Sequence, residues 1–87
     1  MKRILILGGG GFIGGHLAKK LFTNGNYIKI ADIKNHEYFQ HNEICNEFVR
    51  CDLTNPINVQ SVINENFDEV YQLAADMGGA GYIFTGN

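Results

Sequence analysis

Four short apolar runs punctuate the chain, and stretches of helical spacing lie between them. The first run, Arg3-Ile4-Leu5-Ile6-Leu7, is apolar at every position after the arginine rather than at alternate ones. That pattern belongs to a strand buried on both faces, as in a parallel sheet covered by helices. A run of glycines ends it. From about Phe12 to Phe22 the pattern turns helical: Ile13, Leu17 and Leu21 recur every four residues as the expected buried stripe, and Lys19 and Lys20 face outward. Thr23-Asn24-Gly25-Asn26 is a stop, with Gly25 available for a left-handed cap. Tyr27-Ile28-Lys29-Ile30-Ala31 reads as a second strand ending at Asp32. Residues Lys34 to Asn46 are polar and lack a clear period, so a connection with space for a short helix is expected. Phe48-Val49-Arg50-Cys51 is the expected third strand. Asp52-Leu53-Thr54-Asn55-Pro56 then leaves the strand and opens a helix, with Asn55 at the N-cap and Pro56 at the first helical position, where its missing N–H costs nothing. Val59, Val62 and Ile63 give this helix its apolar face, and Asn66 is its expected end. Glu69-Val70-Tyr71-Gln72-Leu73 is the fourth strand, continued by Ala74 and Ala75 into a second glycine-rich stretch.

Strands alternating with helices imply parallel pairing through right-handed crossovers. The expected fold is α/β: part of a Rossmann-type doubly wound parallel sheet with strand order 3-2-1-4. No repeat or linker is visible. At 87 residues the chain is short for such a domain, since domains cluster at roughly 100–150 residues. Residues 1–87 are therefore expected to be the amino-terminal part of a nucleotide-binding domain, without its later strands and without a substrate domain.

Composition narrows the functional classes. With a net charge of −2 there is no basic excess to neutralise phosphates, so neither nucleic acid nor an anionic membrane is an expected partner. Only four apolar residues follow Met1-Lys2-Arg3 before glycine intervenes, too few for a signal peptide, and no run approaches the ~18 of a membrane span. A cytoplasmic protein is expected. Cys45 and Cys51 form no C-x-x-C pair, and His36 and His41 lack ligand spacing, so no metal is expected. Cys51 reads as a small buried strand residue and Cys45 as a loop thiol, neither with a local basic partner to activate it.

Gly8-Gly9-Gly10-Gly11-Phe12-Ile13-Gly14 contains G-x-x-G-x-x-G as Gly8, Gly11 and Gly14. Its position is informative: a buried strand ends before it and an amphipathic helix opens after it. A tight strand-to-helix turn demands backbone angles that side chains disfavour. A pyrophosphate must approach the backbone without meeting a Cβ, and the free N–H groups of the helix N-terminus bind the anion. A glycine-rich turn without a ligand is the plainer alternative. Asp32 follows Gly14 by 18 residues, where such folds place an acid that accepts from the adenosine ribose hydroxyls and repels a 2′-phosphate. NAD is thus favoured over NADP, with Lys34 as the counter-argument; a solvated strand-end acid is the alternative for Asp32. Asp52 can accept from an adenine amino group beside an apolar Leu53, or it can cap a turn with Thr54; spacing leaves the two open.

Gly8 to Leu17 resembles the opening of the extended short-chain dehydrogenase/reductase family of nucleotide-sugar epimerases and dehydratases. Asp32, Cys51-Asp52-Leu53 and Leu73-Ala74-Ala75 fall where that family places its ribose, adenine and cofactor-backbone contacts. The resemblance thus implies NAD contacts at Gly8, Gly11, Phe12, Ile13, Gly14, Asp32, Asp52, Leu53, Leu73, Ala74 and Ala75. The segment Ala74 to Ile83 resembles the loop of the GDP-mannose 3,5-epimerase subgroup, which implies a sugar-nucleotide substrate of the GDP-mannose type lying against Gly78, and a homodimeric parent. Leu7 departs from the family, which commonly has Thr or Ser there. The resemblance also implies transient oxidation of a sugar hydroxyl by bound NAD, inversion at neighbouring carbons, and return of the hydride. A Tyr-x-x-x-Lys pair drives the oxidation in that family. The pair is not in this chain: four places after Tyr27, Tyr38, Tyr71 and Tyr82 stand Ala31, Asn42, Ala75 and Gly86. No catalytic residue is assigned, and the 87 residues alone are expected to be inactive. A non-catalytic NAD-binding module, or part of a 4,6-dehydratase or 4-epimerase, are the alternative readings.

Overall fold

A computed structural model of the chain describes residues 1–74. Four strands, β1 (Arg3–Leu7), β2 (Tyr27–Asp32), β3 (Glu47–Arg50) and β4 (Glu69–Gln72), form one parallel sheet in the order β3-β2-β1-β4. Helices α1 (Phe12–Thr23), α2 (His41–Ile44) and α3 (Pro56–Ile63) occupy the crossovers. The expected order 3-2-1-4 is thus the observed one.

The continuous apolar run of β1 has its reason in two separate cores. Ile4 and Ile6 pack with Ile28, Ile30 and Ala18 on the side of α1 and α2. Leu5 and Leu7 pack with Ala31, Leu53, Val59 and Val62 on the α3 side. All four apolar side chains of β1 are buried. β2 has one polar interruption on the α3 face: Lys29 is buried and its ammonium meets Glu65.

α1 differs from its predicted face. Its buried residues are Gly14, Gly15 and Ala18, with Leu17, Leu21 and Phe22 partly buried, whereas Ile13 is 72% exposed and lies outside the stripe. The physical reason is close approach. A Cβ at position 14 would stand 2.6 Å from the carbonyl oxygen of Gly8 and 2.7 Å from Cα of Gly9, so α1 faces the sheet with the residues that have least side chain. Gly25 closes the helix with φ +89°, and the N–H of Gly25 donates to the Phe22 carbonyl at 3.0 Å.

The polar connection does hold a short helix, α2, and also something its composition did not announce: His36 is buried at 7% exposure. β3 begins one residue before the expected strand because Glu47 is already in register with Lys29; Cys51 lies just past it, its N–H still donating to the Asp32 carbonyl at 2.9 Å. α3 ends at Ile63, ahead of Asn66. Its start is as read: Pro56 opens the helix and Asn55 Oδ1 accepts the Ile57 N–H at 2.9 Å. Asn55→Ala is expected to lower stability by about 1 kcal/mol, the usual worth of such a cap, and urea unfolding of the variant beside Asn55→Ser, which keeps an acceptor, checks it. Among the described residues no helix is long and apolar enough to cross a membrane.

Candidate functional site

The carboxyl ends of the four strands open on one side of the sheet. Parallel strands all present these ends together, and the chain must leave each one through a loop, so loop residues from distant parts of the sequence meet there. Gly8 and Gly11 from the first loop, Asp32, Ile33 and Lys34 from the second, Asp52, Leu53 and Thr54 from the third, and Leu73 and Ala74 from the fourth line a cleft of about 330 Å³.

Gly8 makes the turn out of β1 at φ +91°, its N–H donating to the Ala31 carbonyl at 2.7 Å. A Cβ on it would meet the backbone nitrogen of Ala74 at 2.7 Å, so the first and fourth loops touch through glycine. Packing likewise explains the missing side chains at Gly9, against Ile30, and Gly10, against the Lys34 carbonyl and the Asp32 carboxylate. Gly11 is different. Its φ is an ordinary −80°, and among the described residues a Cβ there would meet only the Gly8 carbonyl oxygen, at 3.7 Å. No described residue requires glycine at this position; the missing side chain keeps the cleft open. Gly11 is also the N-cap of α1 and supplies no side-chain cap, so the first turn keeps N–H groups without intrahelical acceptors. A cradle that a Cβ would fill, next to a helix N-terminus, suits an approaching anion.

Asp32 ties two loops together. Its Oδ2 accepts the Gly10 N–H at 2.7 Å and its Oδ1 accepts the Lys34 N–H at 3.2 Å. Asp52 does cap its turn: Oδ1 accepts both the N–H of Thr54, at 2.9 Å, and its hydroxyl, at 2.6 Å. These bonds hold the Asp52 carboxyl below the usual carboxylate range. Both contacts fall on one oxygen, and Asp52 still lines the cleft, so capping and cleft lining coexist. Beside it, Cys51 is pushed upward by burial, then by Asp52 and Asp32; burial pushes the Cys45 thiol up to about 11. The burial is the reverse of the sequence reading: Cys45, read as a loop thiol, is buried, and Cys51, read as a buried strand residue, lies just past β3 and is partly buried.

Of the residues singled out in the sequence, Gly8, Gly11, Asp32, Asp52, Leu53, Leu73 and Ala74 meet at this cleft. Gly14 lies beneath the loop as a packing residue. Phe12 and Ile13 are exposed and their side chains do not line the cleft; the Phe12 ring instead packs on His16, centroids 4.5 Å apart. Ala75 and Gly78 lie outside the described residues. Three participants were not signalled as site residues: Gly10, whose N–H anchors Asp32, together with Ile33 and Thr54 in the lining. Ile33, 60% exposed directly after the strand-end acid, was the available signal, an apolar residue with no core to join. Among the described residues no cluster of His, Cys, Asp or Glu could hold a metal ion.

The cleft therefore offers an anion-accepting helix start, two carboxylates that can accept from hydroxyl or amino groups, and apolar walls for a flat ring. That is the complement of a nucleotide. Comparison with known proteins points the same way. Residues 4–85 match the family described as the NAD dependent epimerase/dehydratase family. The chain is 46% identical over 81 residues to GDP-mannose 3,5-epimerase 1 of Oryza sativa subsp. indica and 42% identical over 81 residues to GDP-mannose 3,5-epimerase of Arabidopsis thaliana. Each match covers 93% of the chain and 21% of the relative, so the chain spans about a fifth of those proteins. A UDP-glucose 4-epimerase crystal structure superposes with a TM-score of 0.65 at 34% identity, covering 85% of this chain and 23% of the other.

Proposed function

The chain belongs to the NAD dependent epimerase/dehydratase family, and from that premise we propose that it is the cofactor-binding front of a NAD-dependent sugar-nucleotide epimerase acting on a GDP-mannose-type substrate. The observation that carries the reading is the convergence of Gly11, Asp32 and Asp52, from three separate loops, on one cleft at the strand ends. The identity with two GDP-mannose 3,5-epimerases supports the substrate class.

In this reading the Gly8–Gly11 turn and the start of α1 hold the pyrophosphate, through backbone N–H groups. Asp32 takes the ribose hydroxyls on lone pairs left beside its bonds to Gly10 and Lys34. Asp52 and Leu53 receive the adenine, and Leu73, Ala74 and Ala75 border the cofactor along the fourth loop. Bound NAD supplies reversible hydride acceptance from a sugar carbinol. The chain's own part is to orient and to exclude water: the apolar walls desolvate one side of the cleft, and the fixed carboxylates set the register of the ligand. Gly78 is assigned to the sugar nucleotide, and the parent protein is assigned as a homodimer.

Full-length protein incubated with GDP-mannose is expected to give C3 and C5 epimers, read by NMR. Turnover of UDP-glucose instead would replace the substrate assignment. The 87 residues alone are expected to give no product, because none of the four tyrosines has Lys four places on; product from them would overturn that. NAD is expected to bind the full-length protein at least about tenfold more tightly than NADP, because a carboxylate repels the 2′-phosphate, and Asp32→Ala is expected to narrow the gap. Tighter NADP binding in calorimetry would remove Asp32 from its assigned role.

A further inference from the structure

His36 lies outside the cleft, yet its own loop and α1 meet on its ring. Nδ1 accepts the N–H of Tyr38 at 3.1 Å and that of Phe39 at 3.2 Å. The ring lies against Gly15 of α1, where a Cβ would stand 1.8 Å from its Cδ2 and Nε2. It stacks on Phe39 with centroids 4.9 Å apart and meets His16 edge-on at 6.3 Å. Nε2 is buried and has no hydrogen-bond partner among the described residues. The same loop supplies Ile33 and Lys34 to the cleft wall, and the Lys34 carbonyl closes over Gly10. The turn that His36 fastens is thus the outer support of the cleft.

The two bonds at Nδ1 require that nitrogen to be unprotonated, so the neutral ring carries its proton on Nε2. Without an acceptor at that position both loop amides lose their partner, and without the ring the loop loses its tie to α1 at Gly15.

We infer that His36 is a positioning residue for the cofactor cleft: its ring, through the two bonds at Nδ1, holds the loop of residues 33–39 in place. The inference rests on the reading of the cleft as the NAD site.

The test compares full-length protein at one neutral pH in three forms: unaltered, His36→Leu and His36→Asn. Amide hydrogen exchange without ligand is expected to show Tyr38 and Phe39 losing about tenfold in protection in His36→Leu, and the NAD Kd is expected to rise about tenfold. In His36→Asn the side-chain oxygen can accept the same two N–H groups, so both properties are expected to return to those of the unaltered protein. If His36→Leu does not fold, Gly15→Ala, whose added Cβ displaces the ring, takes its place. Protection that survives loss of the ring, or no rescue by His36→Asn, overturns the inference. NAD affinity unchanged in His36→Leu while protection is lost overturns it and leaves the cofactor reading intact. The expected exchange behaviour with no NAD binding in any form, the unaltered protein included, supports the loop's dependence on His36 and sinks the cofactor reading.

Discussion

Gly14→Ala is expected to destabilise the protein by about 2 kcal/mol and to abolish NAD binding, while Gly11→Ser leaves the fold at least as stable and still loses about tenfold or more in NAD affinity. The two glycines belong to the same loop and separate because of what surrounds them. At position 14 the new methyl group meets the Gly8 carbonyl oxygen at 2.6 Å and Gly9 Cα at 2.7 Å, both backbone atoms with nowhere to go. Overpacking of that kind costs about 1–3 kcal/mol, against which alanine's better helix propensity returns up to about 1. The clash also pushes the turn out of shape, so binding falls with stability. At position 11 the nearest atom of the described residues is 3.7 Å away and φ is −80°, so serine fits there without strain. As an N-cap, serine is better than glycine by a few tenths of a kcal/mol. Its hydroxyl then occupies the N–H groups and the open space that the pyrophosphate is proposed to use. Opposite signs in one pair of variants separate a folding role from a binding role. Thermal denaturation and calorimetric titration of the two variants check it. If Gly11→Ser binds NAD as the unaltered protein does, no ligand backbone passes Gly11; if Gly14→Ala unfolds where the unaltered protein does, the close approach of α1 to the loop is not required.

That contrast also marks where the sequence was legible. The unbroken apolar run of β1 announced a strand covered on both faces, and strand order and the Asn55-Pro56 helix start followed from the same pattern; Gly8, Gly11, Asp32, Asp52 and Leu53 came from motif spacing, and Leu73 and Ala74 from the family resemblance. Ile13 was misplaced because the stripe of α1 was traced through its large apolar residues. The helix meets the sheet so closely that size, not hydrophobicity, selects its buried face, and Gly14, Gly15 and Ala18 have the smallest side chains available. His36 was hidden for a related reason. In a polar stretch without period, nothing local distinguishes a buried ring from a solvated one; its place is set by the vacancy above Gly15, twenty-one residues earlier in the chain. Asp52 was balanced between a turn cap and a cleft acid because both descriptions use the same spacing, and in the fold one oxygen caps while the residue lines the cleft.

Glu65→Gln is expected to cost about 2–3 kcal/mol at neutral pH, a large part of what a small domain has, although position 65 is far from the cleft. The reason is Lys29. Its side chain is 6% exposed on the α3 face of the sheet, and its ammonium is met by Glu65, whose other oxygen accepts Arg3 Nη2 at 2.9 Å. Removing one partner of a buried pair strands the other charge and costs about 3–5 kcal/mol. Glu65 is itself 35% exposed, so solvent screens part of this and the lower figure follows. Lys29 holds the Glu65 carboxyl below its ordinary value of 4.5. A carboxylate shifted down contributes stability that is complete above that ordinary value and disappears as pH falls through the lower folded value. The penalty of Glu65→Gln relative to the unaltered protein should therefore shrink in urea unfolding as pH is taken well below 4.5. The double variant Lys29→Met with Glu65→Gln removes the stranded charge and puts an apolar side chain of similar length beside Leu5, the register partner of position 29, so it is expected to be more stable than Glu65→Gln alone. Equal losses in the single and double variants would mean that the ammonium is not what the sheet fails to tolerate, and that Glu65 acts instead through Arg3, whose guanidinium lies over the Tyr27 ring at 4.5 Å and so joins the first two strands at the end opposite the cleft.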